Sequence, residues 1–168
     1  MSRFTQWDSA VMALVTSLDN DAIAESLTDA DTLDNLVDVI ETVIASLAIA
    51  DTMMVNHSES GHIWKFQYGT VTVLVQLTGL SEADTLTVWS AVLRLPARNE
   101  PALMRHLLER NCANTLEARF GIISDEVVVI TTRSLADLSP GEISRAITIV
   151  ATIADESDEP LQAEYGHS

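Results

Sequence analysis

Two histidines, His57 and His62, flank the run Ser58-Glu59-Ser60-Gly61. A tight turn there would bring both imidazoles to one end of a hairpin, as a zinc ion requires of its first two ligands. A further good ligand is missing nearby. The His57-x-Glu59 pattern also lacks the Pro-Cys-x-x-Cys partner of the zinc deaminases. A polar hairpin tip is the simpler reading. Cys112, the only cysteine, and His106 raise nucleophile-and-base chemistry. Six residues apart near the end of a helical stretch, they point to different faces, and Cys112 reads as a small half-buried residue. Carboxylate pairs are too abundant to single one out, and Asp125-Glu126 reads as the decoration of a turn. General acid or base work needs a carboxylate shifted by its cleft. The sequence carries no P-loop, dinucleotide fingerprint or nucleophile elbow. No catalytic residue, metal ligand or cofactor is therefore assigned, and an unrecognised hydrolase stays a minor alternative.

Two residue sets are suited to binding. Trp64, Phe66 and Tyr68 alternate along one strand face, where they serve either as core or as an aromatic docking strip. Arg94, Arg98 and Arg105, with Arg110, gather in and around one helix. They either balance local acid or meet the acidic surface of a second copy. Arg105 and Glu109 form an i,i+4 pair in the less favourable order.

Charge narrows the partners. Nine basic residues stand against 25 acidic ones, a net charge of -16. Phosphate neutralisation needs clustered Lys and Arg, so nucleic acid is a poor partner, and an anionic membrane surface is disfavoured for the same reason. The expected partners are proteins, with basic ones favoured. A lone cysteine precludes an internal disulfide and fits the cytoplasm. The start MSRFTQWDSA lacks the pattern of a secretory leader, and no apolar run reaches the length of a membrane span.

The elements that must position these residues follow from periodicity. Residues 1–31 read as an extension with a short helix, in which Trp7, Val11, Leu14, Val15 and Leu18 share one face. A firm helix is expected over about Thr32–Ala48, with its apolar face on a sheet and Asp31 or Thr32 as cap. Strands are expected at Met53–His57, His62–Tyr68, Thr70–Thr78 and Leu86–Leu95. The last is apolar on both faces, as a central strand would be. Pro101 suits the first turn of a helix whose buried side is Leu103, Met104, Leu107 and Leu108. Alternation returns in TLEARFGI, and VVVITT is β-branched throughout. Ser139-Pro140-Gly141-Glu142 is a capping box ahead of the stripe Ile143, Ala146, Ile147, Val150, Ile153 and Ala154. Residues 156–168 read as an acidic tail that frays. Helices separated by groups of short-turned strands imply an α+β fold.

The stretch from Leu93 to Asp155 resembles the bacterial YbjN-type domain, particularly its cyanobacterial branch. The telling pieces are LP before the middle helix, LLERN closing it, ARFGI on the next strand and LSPGEI opening the last helix. The match runs from about Trp64 to Asp155, and the strand at Met53–His57 and the N-terminal extension depart from the simplest pattern. The resemblance implies the type III secretion chaperone-like fold, an antiparallel sheet of five or six strands in the order αβββαββα. It also implies a small, acidic, often homodimeric protein that binds other proteins, with no catalytic residue to carry over. The reading is one domain over 32–155, working as a non-enzymatic chaperone-like or adaptor module. The alternative is a regulatory or stress-response protein that senses a small ligand.

Overall fold

A computed structural model describes residues 29–48, 54–58, 61–79, 81–136 and 138–167. Its elements are α1 (Asp29–Leu47), β1 (Met54–Ser58), β2 (Gly61–Tyr68), β3 (Val71–Leu77), β4 (Thr85–Arg94), α2 (Glu100–Ala113), β5 (Arg119–Ile123), β6 (Glu126–Ser134) and α3 (Pro140–Tyr165). The six strands form one sheet in the order β1-β2-β3-β4-β6-β5, and every neighbouring pair is antiparallel. This is the expected α+β architecture. The order αβββαββα holds, with β1 as the optional short strand ahead of the β2–β4 meander. The expected N-terminal helix lies outside the described residues.

Alternation of apolar and polar residues sets the register. Trp64 lies opposite Val75, Val75 opposite Val88, and Val88 opposite Thr131. Phe66, Val73, Ser90, Val129 and Phe120 form the next row on the same side. A one-residue slip would turn every one of these side chains to the other face. Between β2 and β3 the chain reverses at Gly69, whose φ of 51° suits glycine. The Asp155 carboxylate takes the space a Cβ would need there. It accepts the Thr70 N–H at 2.8 Å and so latches the hairpin to α3.

All three described helices cover this one side. Ile40 and Ile44 of α1, Leu103 and Leu107 of α2, and Ile143, Ile147, Val150 and Ala154 of α3 share a single core with Trp64, Phe66, Val73, Val88, Phe120 and Val129. The Trp64 Nε1–H donates to Glu41 Oε1 at 3.2 Å, fixing α1 over β2. Helix α1 starts at Asp29, so Asp31 and Thr32 lie inside it and not at its cap. On α2, Leu108 is 66% exposed, contrary to its place on the expected buried side. That helix meets the sheet mainly along β5, which needs a narrower stripe.

The acidic tail is also corrected. Helix α3 continues to Tyr165, through Pro160. Leu161 and Tyr165 are buried in the core, so packing carries the helix across the proline. Arg98 then closes its end: the backbone N–H donates to Tyr165 O at 2.8 Å and Nη2 donates to Ala163 O at 2.9 Å. A cation at a helix C-terminus is favoured by the dipole and satisfies orphan carbonyls. At the other end Ser139 and Glu142 form the expected capping box.

Candidate functional site: the sheet face opposite the helices

The residues singled out for chemistry do not converge. His57 lies opposite His62 in the β1–β2 register, and the His62 ring stacks on Trp64 with centroids 5.6 Å apart. Glu59 is outside the described residues. Among the described residues no group of three or more His, Cys, Asp or Glu side chains comes together. His106 packs near Tyr165, with ring centroids 6.2 Å apart, whereas Cys112 is exposed. Asp125 and Ser124 take φ of 62° and 48°, making the tight turn between β5 and β6.

The aromatic strip is core. Trp64 and Phe66 are fully buried beneath α1 and α3, and Tyr68 is half-buried against the same cluster. Their shared strand face is the one the helices cover, so they are not a docking surface in the folded chain. The arginines separate as well. Arg98 closes α3, while Arg105 sits 3.9 Å from Glu109 with both side chains well exposed. Arg94 is exposed at the end of β4. Arg110 lies 4.8 Å over the Phe120 ring and donates to Ser157 Oγ at 3.0 Å. One ion pair has no signal in sequence: Arg145 grips Glu117 at 2.7 and 3.3 Å from sites 28 residues apart. The Arg145 guanidinium holds the Glu117 carboxyl below its ordinary range, and Glu117 in turn raises Arg145.

A second set of apolar side chains is on the other side of the sheet, whereas the most exposed large apolar residues among those described are Leu108, Leu116 and Ile122. Register places Lys65, Leu74, Trp89, Ile130 and Arg119 in one row across five strands. Beside it run Ala91, Val128 and Gly121, and on the other flank Ile63, Gln76, Thr87 and Thr132. Trp89 and Val128 are 3% and 0% exposed, yet neither belongs to the core beneath the helices. Two polar atoms of this face are buried without a hydrogen-bond partner among the described residues, Trp89 Nε1 and Gln76 Oε1. A buried donor or acceptor left unmade costs about 1–3 kcal/mol. The face thus carries apolar side chains, partly exposed at Leu74 and Ile130, with one buried donor, one buried acceptor and the cations Lys65 and Arg119 in its central row. Its signal in the sequence is β4 itself, apolar on both faces.

A second feature lies at the end of β4. The register with β6 shifts between Ala91 and Leu93. Next to this irregularity is an open groove of about 610 Å³, bordered by Arg94, Glu126, Gln162 and His167. Gln162 Nε2 reaches the Val92 carbonyl across it at 3.4 Å. The groove is open and of mixed polarity, since Leu93, Leu95 and Pro96 line it beside these polar groups. Among the described residues, no helix is long and apolar enough to cross a membrane.

No curated protein matches the chain. The family model described as "putative bacterial sensory transduction regulator" matches residues 36–163, from within α1 almost to the end of α3. That span includes the whole sheet and well over half of the sequence, and the chain belongs to the YbjN family.

Proposed function

We propose that this YbjN-family chain is a non-enzymatic regulatory module that acts by binding another polypeptide. The observation that carries the reading is the second apolar sheet face, with Leu74, Trp89, Val128 and Ile130 at its centre. A sheet face with side chains of core type, partly exposed at Leu74 and Ile130, has apolar surface to bury against a partner. The partner segment is one with an apolar stripe. Nearby it offers an acceptor for Trp89 Nε1 and a donor for Gln76 Oε1. The net charge of -16 favours basic proteins during long-range encounter. The element order αβββαββα fits the finer proposal of a type III secretion chaperone-like fold, and the pieces LLERN, ARFGI and LSPGEI carry the proposal of the cyanobacterial branch. Under this reading the module is cytoplasmic, works as a homodimer, and needs no metal or cofactor.

Cross-linked pull-downs test it. The full chain should retain a protein that is lost with Leu74→Asp or Ile130→Asp and kept with Arg105→Ala, a distant surface change. Recovery of the bait alone, or equal recovery with the face variants, would remove the reading. The groove beside β4 favours a second reading, a small-ligand sensor. A reproducible rise in melting temperature with one metabolite, abolished by Arg94→Ala and unaffected by Ile130→Asp, would favour that reading instead.

A further inference from the structure

We propose that the groove beside the end of β4 binds a small zwitterion with an apolar body, namely an apolar α-amino acid. Its carboxylate meets Arg94, its ammonium meets Glu126 and the Val92 carbonyl, and its side chain lies on Leu93, Leu95 and Pro96. This presupposes the small-ligand reading of the groove and names the chemical class of the ligand.

The space and one acceptor come from a break in the sheet ladder. β4 pairs with β6 in even register from Thr85 to Ala91, then skips Val92 and resumes with Leu93 opposite Val127. The register of β3 with β4 stops at Ser90. Val92 therefore has no register partner on either flank. An irregularity of this kind bends a strand and re-aims its groups, and such features gather beside binding and active sites. The Val92 carbonyl faces the groove and accepts the Gln162 Nε2–H at 3.4 Å. That contact is longer than an ordinary N–H···O bond. A carbonyl oxygen has two lone pairs, so it can take an N–H of a ligand beside the amide or in its place.

Charge selects the class. Arg94 and Glu126 lie directly opposite each other across β4 and β6, and both border the groove. Opposite residues of an antiparallel pair hold their Cβ atoms about 5 Å apart. One cation and one carboxylate thus meet a ligand side by side. An anion would meet Arg94 but also Glu126, within the field of a chain of net charge -16. A cation would meet Glu126 but also Arg94. A zwitterion answers both groups at once and carries no net charge. An α-amino acid holds its ammonium and carboxylate on one carbon, which suits two neighbouring side chains of opposite sign.

Size and polarity agree. The groove of about 610 Å³ lies within the ordinary range of small-molecule sites. Leu93, Leu95 and Pro96 give it an apolar wall beside the charged pair. Burial of apolar area against that wall favours leucine, methionine or phenylalanine over glycine.

Titration calorimetry of the full chain with leucine, methionine and phenylalanine tests the proposal. At least one should bind saturably with a Kd of about 1 mM or tighter. Glycine and two analogues of the tightest ligand should bind severalfold more weakly: the N-acetyl form, which lacks the ammonium, and the amide, which lacks the carboxylate. Arg94→Ala and Glu126→Gln should each weaken binding severalfold while keeping the melting temperature of the ligand-free chain. A second measurement needs no variant. In amide chemical-shift mapping of the parent chain, the ligand should move the signals of Val92, Arg94 and Gly166 and leave those of Gly121 and Val128 in place. No saturation by any of the three amino acids up to about 10 mM would overturn the proposal. So would equal binding of glycine or of either analogue, parent-like binding by both variants, or shifts confined to other residues. If another metabolite raises the melting temperature and Arg94→Ala abolishes that rise, while no amino acid binds, the amino-acid assignment fails and the sensing reading stands.

Discussion

The side-chain amide of Asn111, on α2, holds both backbone groups of Phe120 on β5. Its Oδ1 accepts the Phe120 N–H at 2.7 Å and its Nδ2 donates to the Phe120 carbonyl at 3.2 Å. Because β5 is an outer strand of the sheet, this clamp occupies groups that would otherwise template another chain. The proposed partner surface is the face of the sheet and not this edge.

Asn111→Ala should therefore do two things. Loss of the paired contacts to a partly buried strand should lower stability by about 1–3 kcal/mol in urea unfolding. The freed edge should also promote concentration-dependent association, read by light scattering. A variant that stays as stable and no more associated than the parent would show that the clamp has no role.

The start of α3 predicts a pH dependence. Hydrogen bonds from the Ser139 backbone N–H and hydroxyl, with Arg133 nearby, hold the Glu142 carboxyl below its ordinary range. Its folded-state value is thus lower than its unfolded one. The stabilisation is complete above the unfolded value, near 4.3, and is lost as pH falls through the lowered folded value. Urea unfolding from pH 7 to pH 3 should show the gap between parent and Glu142→Gln narrowing as acid is added. A gap that is constant across the range would contradict the assignment. At neutral pH, Ser139→Ala should cost about 1 kcal/mol, as expected of a lost cap.

The last turns of α3 are the third target. Leu161 is 2% exposed within the core. Leu161→Ala should cost about 2–5 kcal/mol, whereas Glu159→Ala, on the exposed side, should stay within about 0.5 kcal/mol. Similar small effects for both would return this stretch to the status of a loose tail.

The fold was legible in sequence wherever one residue type could meet only one demand. Alternation fixed β2 and β3, Pro140 and the Ser139–Glu142 box fixed the start of α3, and Pro101 fixed the first turn of α2. Charge misled the reading at the tail. Acidic residues in DESDEPLQAEY and an internal proline argue for fraying locally, but Leu161 and Tyr165 recur at helical spacing and are buried by tertiary contact. Helix propensity is a weak prior against such packing. The binding site was less legible. Trp64 and Phe66 drew attention because aromatics suit interfaces, yet which side of a strand the helices cover is set by the whole register. Leu74, Trp89 and Ile130 belong to three separate strands, and only the pairing of β3, β4 and β6 assembles them. The Arg145–Glu117 pair is likewise a product of tertiary geometry, with no local pattern.

The central claim is that the helix-opposed face is where this protein binds polypeptide. A photo-crosslinking residue placed at Ile130 in the full chain, expressed in its own cells, tests it most directly. The account predicts adducts to a partner protein from position 130, with none formed from a control position at Arg105. No adduct to another protein from position 130, or equal adducts from position 105, would contradict it.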